Sequence, residues 1–203
     1  ITPWSLEVTF DEQAMKSVLI ENGIPFWPAQ RPELMIWVGV EKGAERFLVG
    51  SENEEAQVWR EEFVRSTTKR GVPILLPLLD SEDASRVSFT DIWGGFRREI
   101  MEASARYSSR HILVGRIMPG NRGGWVAKWQ LWTDYDELEW SNELQEPIAI
   151  IDEAVAQVAQ VMAQYYALRP GNDSLNRFGL YVKGIETASH YAQLSKRLSE
   201  FSG

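Results

Sequence analysis

The chain has 203 residues, enough for one substantial domain with a smaller appendage. Its apolar fraction of 44% is typical of a globular protein, and its longest apolar runs fall far short of the roughly 20 residues that cross a bilayer, so we expect no transmembrane segment. The 29 acidic and 21 basic residues give a formal net charge of -8, and the basic residues form only short pairs such as Arg97–Arg98. That balance repels nucleic acid, so we expect no nucleic-acid partner.

Tryptophan is abundant and cysteine is absent. The nine tryptophans are expected to pack in the core and its rim, with a carbohydrate- or base-stacking surface as the alternative. The absence of cysteine excludes disulfides, thiolate metal sites and thiol nucleophiles. Because the first residue is Ile1, we interpret the chain as a trimmed piece, and any signal peptide would lie upstream of it.

Residues 1–30 predict a lead-in of strand, helix and strand, which could also be the end of an upstream segment. The stretch "SLEVTF" alternates as a strand does, and Asp11 is placed to cap a helix that Gly23 ends. The three prolines of "IPFWPAQRP" then indicate a rigid connection.

Residues 31–169 predict the main domain. The apolar runs "LMIWVGV" and "RFLVG" predict a β-hairpin, and residues 54–70 have the four-residue spacing of a helix that ends before Gly71. The continuously apolar run "VPILLPLL" predicts a buried strand, and its two prolines place that strand near a sheet edge. "RREIMEASARYS" predicts a helix packed closely on a sheet.

The second half of the main domain gives the clearest pattern. "HILVGRIM" and "WVAKWQLW" predict a hairpin in which Trp125, Ala127, Trp129 and Leu131 share one face, and "LEWSNE" predicts a third antiparallel strand. Apolar residues spaced by three and four over residues 146–167 predict a core helix lying across the sheet, a coiled-coil seam being the alternative.

Residues 170–203 predict a linker and a truncated βα module, because "FGLYVKGI" and "TASHYAQLSKRLSEF" supply a single strand and helix. The fold class is therefore α/β (α+β), with a mixed, largely antiparallel sheet, helices packed on it and a partial C-terminal βα module.

Motifs for catalysis are missing from the sequence. It has no phosphate-binding Walker loop, no dinucleotide fingerprint, no nucleophile elbow and no HExxH helix. Its two histidines, His111 and His190, fit surface or capping roles. We therefore expect no catalytic residue, no enzyme activity and no cofactor.

The best candidate for chemistry is acidic. Asp80, Glu82 and Asp83 follow the apolar strand "VPILLPLL", and Asp91 lies a little beyond. Loops after strand ends collect ligands in open α/β sheets, and clustered carboxylates there could bind Mg²⁺ or Ca²⁺ or act as general acid and base. The alternative is a turn whose acidic residues favour a helix start.

The stretch "RVSFTDIWGGF", residues 86–96, also has two interpretations. Its glycines, Gly94 and Gly95, precede a helix and could form an anion site. In the structural interpretation, which we favour, Asp91 or Thr90 caps a helix, Trp93 anchors the loop in the core and a glycine takes a positive φ. This loop and the exposed-looking Trp132 and Trp140 are the candidate interaction residues.

The pieces "FWPAQRPELMIWVGVE", "GVPILLPLLD", "FTDIWGGF", "ASARYSSRHILVGRI" and "GGWVAKWQLW" occur in the order and spacing of a gammaproteobacterial family, domain of unknown function 2066, which the chain resembles from Phe10 to Ala167. The resemblance implies an amino-terminal signal peptide and a periplasmic location, with further segments on both sides. The element order is also similar, at the level of fold, to the amino-terminal domain of TolB and to CsgG-like and LpoB-like envelope domains, which mainly bind other envelope proteins.

Three functions follow as hypotheses. The first is a non-catalytic periplasmic interaction or envelope assembly factor, whose partners are other envelope proteins and for which a homo-oligomer is possible. The second is a metal-dependent enzyme or binder that uses Asp80, Asp83 and Asp91. The third is a glycan or small-ligand module that uses tryptophans.

Overall fold

A computed structural model of the chain describes residues 9, 11–28, 30–121 and 123–167, together with positions 190, 193, 194, 196 and 197. The predicted strand "SLEVTF" and nearly all of the predicted C-terminal module lie outside the described residues.

Between residues 11 and 167 the described residues form six helices, six strands and a short 3-10 turn, and the described positions beyond residue 167 are helical. The helices are α1 (Glu12–Glu21), α2 (Glu54–Arg70), α3 (Ser81–Arg86), α4 (Phe89–Gly94), α5 (Arg97–Ser104) and α6 (Pro147–Tyr166). The strands are β1 (Leu34–Lys42), β2 (Glu45–Leu48), β3 (Ile74–Leu75), β4 (His111–Pro119), β5 (Trp125–Trp132) and β6 (Glu137–Leu144). The 3-10 turn, Ala105–Tyr107, follows α5.

All six strands belong to one sheet, in the order β2-β1-β4-β5-β6, with β3 paired to the first two residues of β1. The pairs β1–β2, β4–β5 and β5–β6 are antiparallel, whereas β1–β4 and β1–β3 are parallel. The predicted mixed, largely antiparallel sheet with packed helices is therefore confirmed, as are both predicted hairpins and the third antiparallel strand.

Helices cover both faces of the sheet and enclose two apolar cores. On the helix-pair face, α2 and α6 pack on the side chains of Leu34, Ile36 and Val38. On the short-helix face, α4 and α5 pack on Met35 and Trp37, and α3 packs on α5. Strand β1 reads as a continuous apolar run because its alternating side chains fill both cores.

The β4–β5 hairpin fixes the centre of the larger core. Gly115 lies directly opposite Trp129, and a Cβ at Gly115 would come within 2.3 Å of the indole ring. The missing side chain lets Trp129 lie flat on β4 and meet Phe63 of α2 edge to face, with ring centroids 6.3 Å apart. Ala127, Trp129 and Leu131 point into this core, which confirms the predicted alternation of β5.

Helix α6 is the predicted core helix lying across the sheet. Ile151, Val155, Val158 and Met162 are fully buried, whereas the two ends of the predicted stripe, Ile148 and Tyr165, are exposed. An ion pair ties it to α2: Asp152 accepts hydrogen bonds from both ends of the Arg70 guanidinium, at 2.7 and 2.9 Å.

The helix limits agree closely with the sequence. Asp11 caps α1 by accepting a hydrogen bond from the Ala14 amide at 2.8 Å, and Gly23 follows the helix with a φ of +75°. Helix α2 spans the predicted residues and ends at Gly71, whose φ is +62°.

Two predicted strands are not formed as expected. Within described residues 22–28 and 30–33, the second strand of the lead-in is limited to a single bridge position, Phe26, and Pro25, Pro28 and Pro32 there lack the amide hydrogens of a sheet ladder. The buried strand predicted from "VPILLPLL" shrinks to the two half-buried residues of β3, between Pro73 and Pro77.

Replacing Gly115 by alanine should destabilise the fold. The added methyl group has to displace the Trp129 ring, and overpacking of this kind costs about 1–3 kcal/mol of unfolding free energy. Gly39→Ala on β1 is the matched control, because its Cβ would meet Phe89 at 3.1 Å, a contact that small shifts can relieve. Urea unfolding measures both, and an equal loss for the two variants would contradict this account.

The Asp152–Arg70 pair should contribute stability that disappears in acid. The guanidinium of Arg70 holds the pKa of Asp152 well below its ordinary value. A lowered folded pKa gives stability that is complete above the unfolded value of about 4 and is lost as pH falls through the folded one. We expect Asp152→Asn to cost about 1–2 kcal/mol at pH 7 and progressively less below about pH 4.

Glu61→Gln, which changes an exposed carboxylate on α2, is the control for the acid experiment. Denaturant midpoints at several pH values provide the measurement. A gap between wild type and Asp152→Asn that stays constant down to pH 2 would contradict a role for the ionised pair.

Candidate functional site

The acidic loop after β3 is held by one arginine. Arg106 donates hydrogen bonds to both carboxylate oxygens of Asp80, at 2.7 and 3.0 Å, and to Asp83 at 3.0 Å. Asp83 is buried, with 1% of its surface exposed, and also accepts hydrogen bonds from the Tyr107 hydroxyl at 2.6 Å and the Leu79 amide at 2.9 Å. The three hydrogen bonds from Arg106 and the one from Tyr107 join the loop to the 3-10 turn.

The electrostatics of this cluster suit a structural clamp. The hydrogen bonds from Arg106 lower the pKa of Asp80 to about 2, and burial with the hydrogen bond to Asp83 raises the pKa of Tyr107 to about 12. Leu79 has a φ of +52°, which a branched residue adopts only under constraint. Asp83 fixes its amide, and the Tyr107 hydroxyl accepts a hydrogen bond from the neighbouring Leu78 amide at 2.9 Å.

The structure brings together only part of the predicted carboxylate site. Asp80 and Asp83 converge, but on the guanidinium of Arg106, and Glu82 pairs with Arg86 at 3.2 Å and with Arg106 at 3.6 Å. Asp91 is engaged elsewhere, where its carboxylate accepts hydrogen bonds from the amide and hydroxyl of Ser88. Within the described part of the chain, no group of three or more histidine, aspartate or glutamate residues could hold a metal ion.

The loop in "RVSFTDIWGGF" is a helix with two defined ends. Ser88, and neither Asp91 nor Thr90, caps α4, and Asp91 completes a reciprocal capping box three residues later. The predicted positive φ is confirmed at Gly95, with +67°, whereas Gly94 is an ordinary helical residue.

Trp93 is not the buried anchor that the sequence predicts. It is half-buried and stacks on Phe89, with centroids 5.3 Å apart, and this pair covers the bare backbone at Gly39. The fully buried residue is its neighbour Ile92. Helical geometry turns adjacent side chains about 100° apart, so only one of the two can point straight at the sheet.

The two tryptophans predicted as exposed contact residues are covered. Trp132 is 2% exposed, because it lies on the short-helix face beneath the guanidinium of Arg97, which is 5.2 Å from the ring centroid. Trp140 is half-buried and stacks on Trp129 at 6.3 Å. The alternation of β5 gives the face of Trp132 correctly, but it does not show that a helix covers that face.

His111 is buried, which makes the predicted surface or capping role wrong; His190 is exposed. The Nε2 atom of His111 lies 2.5 Å from the hydroxyl of Tyr166, at the edge of a recess of about 300 Å³. Burial lowers the pKa of His111, which favours a neutral ring at physiological pH. Tyr166 stands 55 positions along the chain, at the end of α6, so sequence spacing cannot reveal the contact.

An apolar groove lies where α2 and α6 begin, and the sequence did not predict it. Its volume is about 230 Å³, and it is lined by Trp59, Trp125, Val58, Pro147 and Ile148. The two indoles meet edge to face, with centroids 5.6 Å apart, while Val58 and Ile148 are 51% and 40% exposed. Lys42 and Glu55 form an ion pair at the rim, 2.5 Å long. We call this site the Trp59–Trp125 groove.

The only sequence signal for the groove is an apolar Val58 beside Trp59, outside the buried stripe of α2. The exposure of Ile148 could not be predicted from the sequence, because its spacing matches that of the buried residues of α6.

Comparisons with known proteins add little to this description. No family model matches the chain, and no curated protein matches it. The crystal structure of the Thermus thermophilus Protein Y N-terminal domain is a structural neighbour at 12% identity and a TM-score of 0.29, covering 66% of this chain and 97% of that chain. So low a score carries no argument. The resemblance to domain of unknown function 2066 stays a prediction.

A metal titration tests the clamp interpretation of the acidic loop. Because Arg106 already occupies the carboxylate oxygens of Asp80 and Asp83, we expect Ca²⁺, Mg²⁺ and Mn²⁺ to leave the melting temperature unchanged, although binding to the folded state would raise it. Asp83→Ala should cost about 2–4 kcal/mol without any metal, because it leaves buried donors unpaired. A metal-dependent rise in melting temperature that Asp83→Ala removes would contradict this interpretation.

Proposed function

We propose that this chain is a non-catalytic protein-interaction domain that works in the assembly of the Gram-negative envelope, in the periplasm. The observation that carries the proposal is the Trp59–Trp125 groove, an open site with a mainly apolar lining. The periplasmic location rests on the resemblance to domain of unknown function 2066 and is part of the proposal.

The groove has the features of a binding hot spot. Concave apolar sites with aromatic residues in their lining are typical of binding hot spots, and here Trp59, which is 6% exposed, contributes to the lining while its neighbours supply the free apolar surface. Val58 and Ile148 leave substantial apolar surface in water, and a partner that covers them would gain the free energy of burying that surface. The rim is electrically neutral because Lys42 and Glu55 compensate each other, so the groove suits an apolar segment.

The titratable groups support a structural rather than a catalytic use. The carboxylates whose pKa values fall furthest, Asp80 and Asp152, are each bonded to an arginine. The strongly perturbed tyrosines, Tyr107 and Tyr166, have raised pKa values because burial disfavours the phenolate.

Glycan binding is less well supported by the same groove. Sugars stack on exposed ring faces, whereas Trp59 is only 6% exposed and Trp125 is half-buried.

Within the described residues, none of the helices is both long and apolar enough to span a bilayer.

Site-specific photo-cross-linking tests the proposed function. A photoreactive residue at Val58 should give a discrete adduct with one envelope protein, and the same residue at Val64 should not. Val64 is the matched control, since it lies on the same helix at 45% exposure among polar neighbours such as Arg60 and Glu61.

Direct binding completes the test. The cross-linked partner, once purified, should bind Val58→Lys at least about tenfold more weakly than wild type, and should bind Val64→Lys as well as wild type. Equal adducts at the two positions, or equal weakening by the two lysines, would overturn the proposal.

A further inference from the structure

We infer that the outer edge of β6 binds an extended segment of another protein whose alternate residues are basic and apolar. This inference goes beyond the proposed function, because it assigns a second surface and the chemistry of its partner from residues outside the Trp59–Trp125 groove.

Strand β6 is a long edge without irregularities. It pairs with β5 through eight consecutive residue pairs, from Trp132↔Glu137 to Trp125↔Leu144. Within the described residues, no strand pairs with its other side. Such an edge presents unpaired backbone amides and carbonyls, and proteins that keep their edges closed use proline, a bulge, a short strand or charged side chains. Of these devices strand β6 has only charge, in the glutamates of its exposed face, and its backbone remains open to a strand of complementary charge.

The two faces of β6 differ in chemistry. Leu138, Trp140 and Leu144 are half-buried and pack towards the larger core on the helix-pair face. Beside them, a recess of about 440 Å³ is lined by residues such as Leu138, Gln157 and Val161. An added strand would extend this face, so that its inward residues should be apolar.

The opposite face of β6 is acidic. Glu137, Glu139, Ser141 and Glu143 are all exposed there. Arg97 forms an ion pair with Glu137, and Glu139 accepts a hydrogen bond from the Gln130 amide at 2.5 Å. No ion pair of Glu139 or Glu143 is found within the described residues.

Cross-strand pairing sets the charge of the partner. Lys128 of β5, the neighbouring cation, lies opposite Ser141, on the inner side of the glutamate row. The outer side of Glu139 and Glu143 is left uncompensated, and opposite charges on directly paired residues are stabilising. The partner segment should therefore carry lysine or arginine at two positions four residues apart.

The same charges argue against a second copy of the chain as the occupant. Suppose that the β6 strands of two copies pair antiparallel, with both acidic faces on the same side of the sheet and nearly complete overlap. Two registers are then possible. One register places Glu137 opposite Glu143, and the other places Glu139 opposite Glu143. Like charges that are directly opposite destabilise a sheet, so a basic segment is favoured over self-pairing.

Binding of synthetic peptides to the full chain tests the inference. The probe is a fluorescently labelled nine-residue peptide that alternates valine and lysine. Its binding is measured by fluorescence anisotropy. Three comparison peptides are an alternating valine–glutamate peptide, a scrambled valine–lysine peptide and the probe with N-methyl groups on alternate amides. We expect the probe to bind, and each comparison peptide to bind at least about tenfold more weakly, because charge, alternation and one row of backbone donors are each required.

Charge reversal on the protein gives the complementary test. The double substitution Glu139→Lys/Glu143→Lys should lose the valine–lysine peptide and gain the valine–glutamate peptide. Glu54→Lys/Glu61→Lys makes the same change in net charge on the exposed side of α2 and should leave binding of the probe within about twofold of wild type. A thermal melt of each variant verifies folding.

Each remaining outcome overturns the inference. These outcomes are no binding of the probe to wild type, equal binding of the N-methylated or scrambled peptide, and equal losses in the two charge-reversed variants. Val58→Lys should leave binding of the valine–lysine peptide unchanged. The peptide experiment therefore tests the β6 edge alone, and its result does not depend on whether the Trp59–Trp125 groove binds a partner.

Discussion

The parallel pairing of β1 with β4 is the constraint on which the rest of the structure depends. These strands pair over seven residues at the middle of the sheet, and β1 is buried on both faces from Leu34 to Val38. A strand buried on both faces requires cover on both, which α2 and α6 supply on one side and α4 and α5 on the other. A parallel pair also needs a long crossover, and residues 43–110 provide it. That crossover contains α2 and the short helices, so one pairing accounts for both layers except α6, which follows β6 and completes the helix-pair face.

Local patterns predicted the elements well, because period and capping are properties of adjacent residues. The alternation in β5, the stripe of α6 and the glycine after α2 each identified an element whose limits the structure matches. Burial of the flanking elements was less predictable, since it depends on what lies above them. Trp132 and His111 are buried by Arg97 and Tyr166, residues that are distant along the chain. No local pattern reports such contacts.

At the candidate site, too, the sequence identified individual residues but not the distant residues that they contact. Sequence identified the carboxylates at Asp80 and Asp83 but not Arg106, which lies more than 20 positions away and decides what they do. A cluster of acids beside a guanidinium fixes a loop, whereas the sequence alone left a cation site open as an interpretation of the same acids. The Trp59–Trp125 groove was missed for the converse reason. Its walls come from the starts of two helices and the start of β5, and each residue alone resembles ordinary core.

The middle and the edge of the sheet are specified by different forces. At the centre, burial on both faces fixes register, because a slip by one residue would exchange the side chains of the two cores. At β6 only the helix-pair face is covered, so apolar packing fixes one face and leaves the other to charge. Three glutamates on that free face disfavour pairing with a second copy, while the strand contains no proline and pairs with β5 without a break in register. Charge on an edge acts differently from shortening or a proline, because it opposes a strand of like charge and favours one of opposite charge. In the assembly role that we propose, the acidic edge would therefore discriminate among partners by their charge.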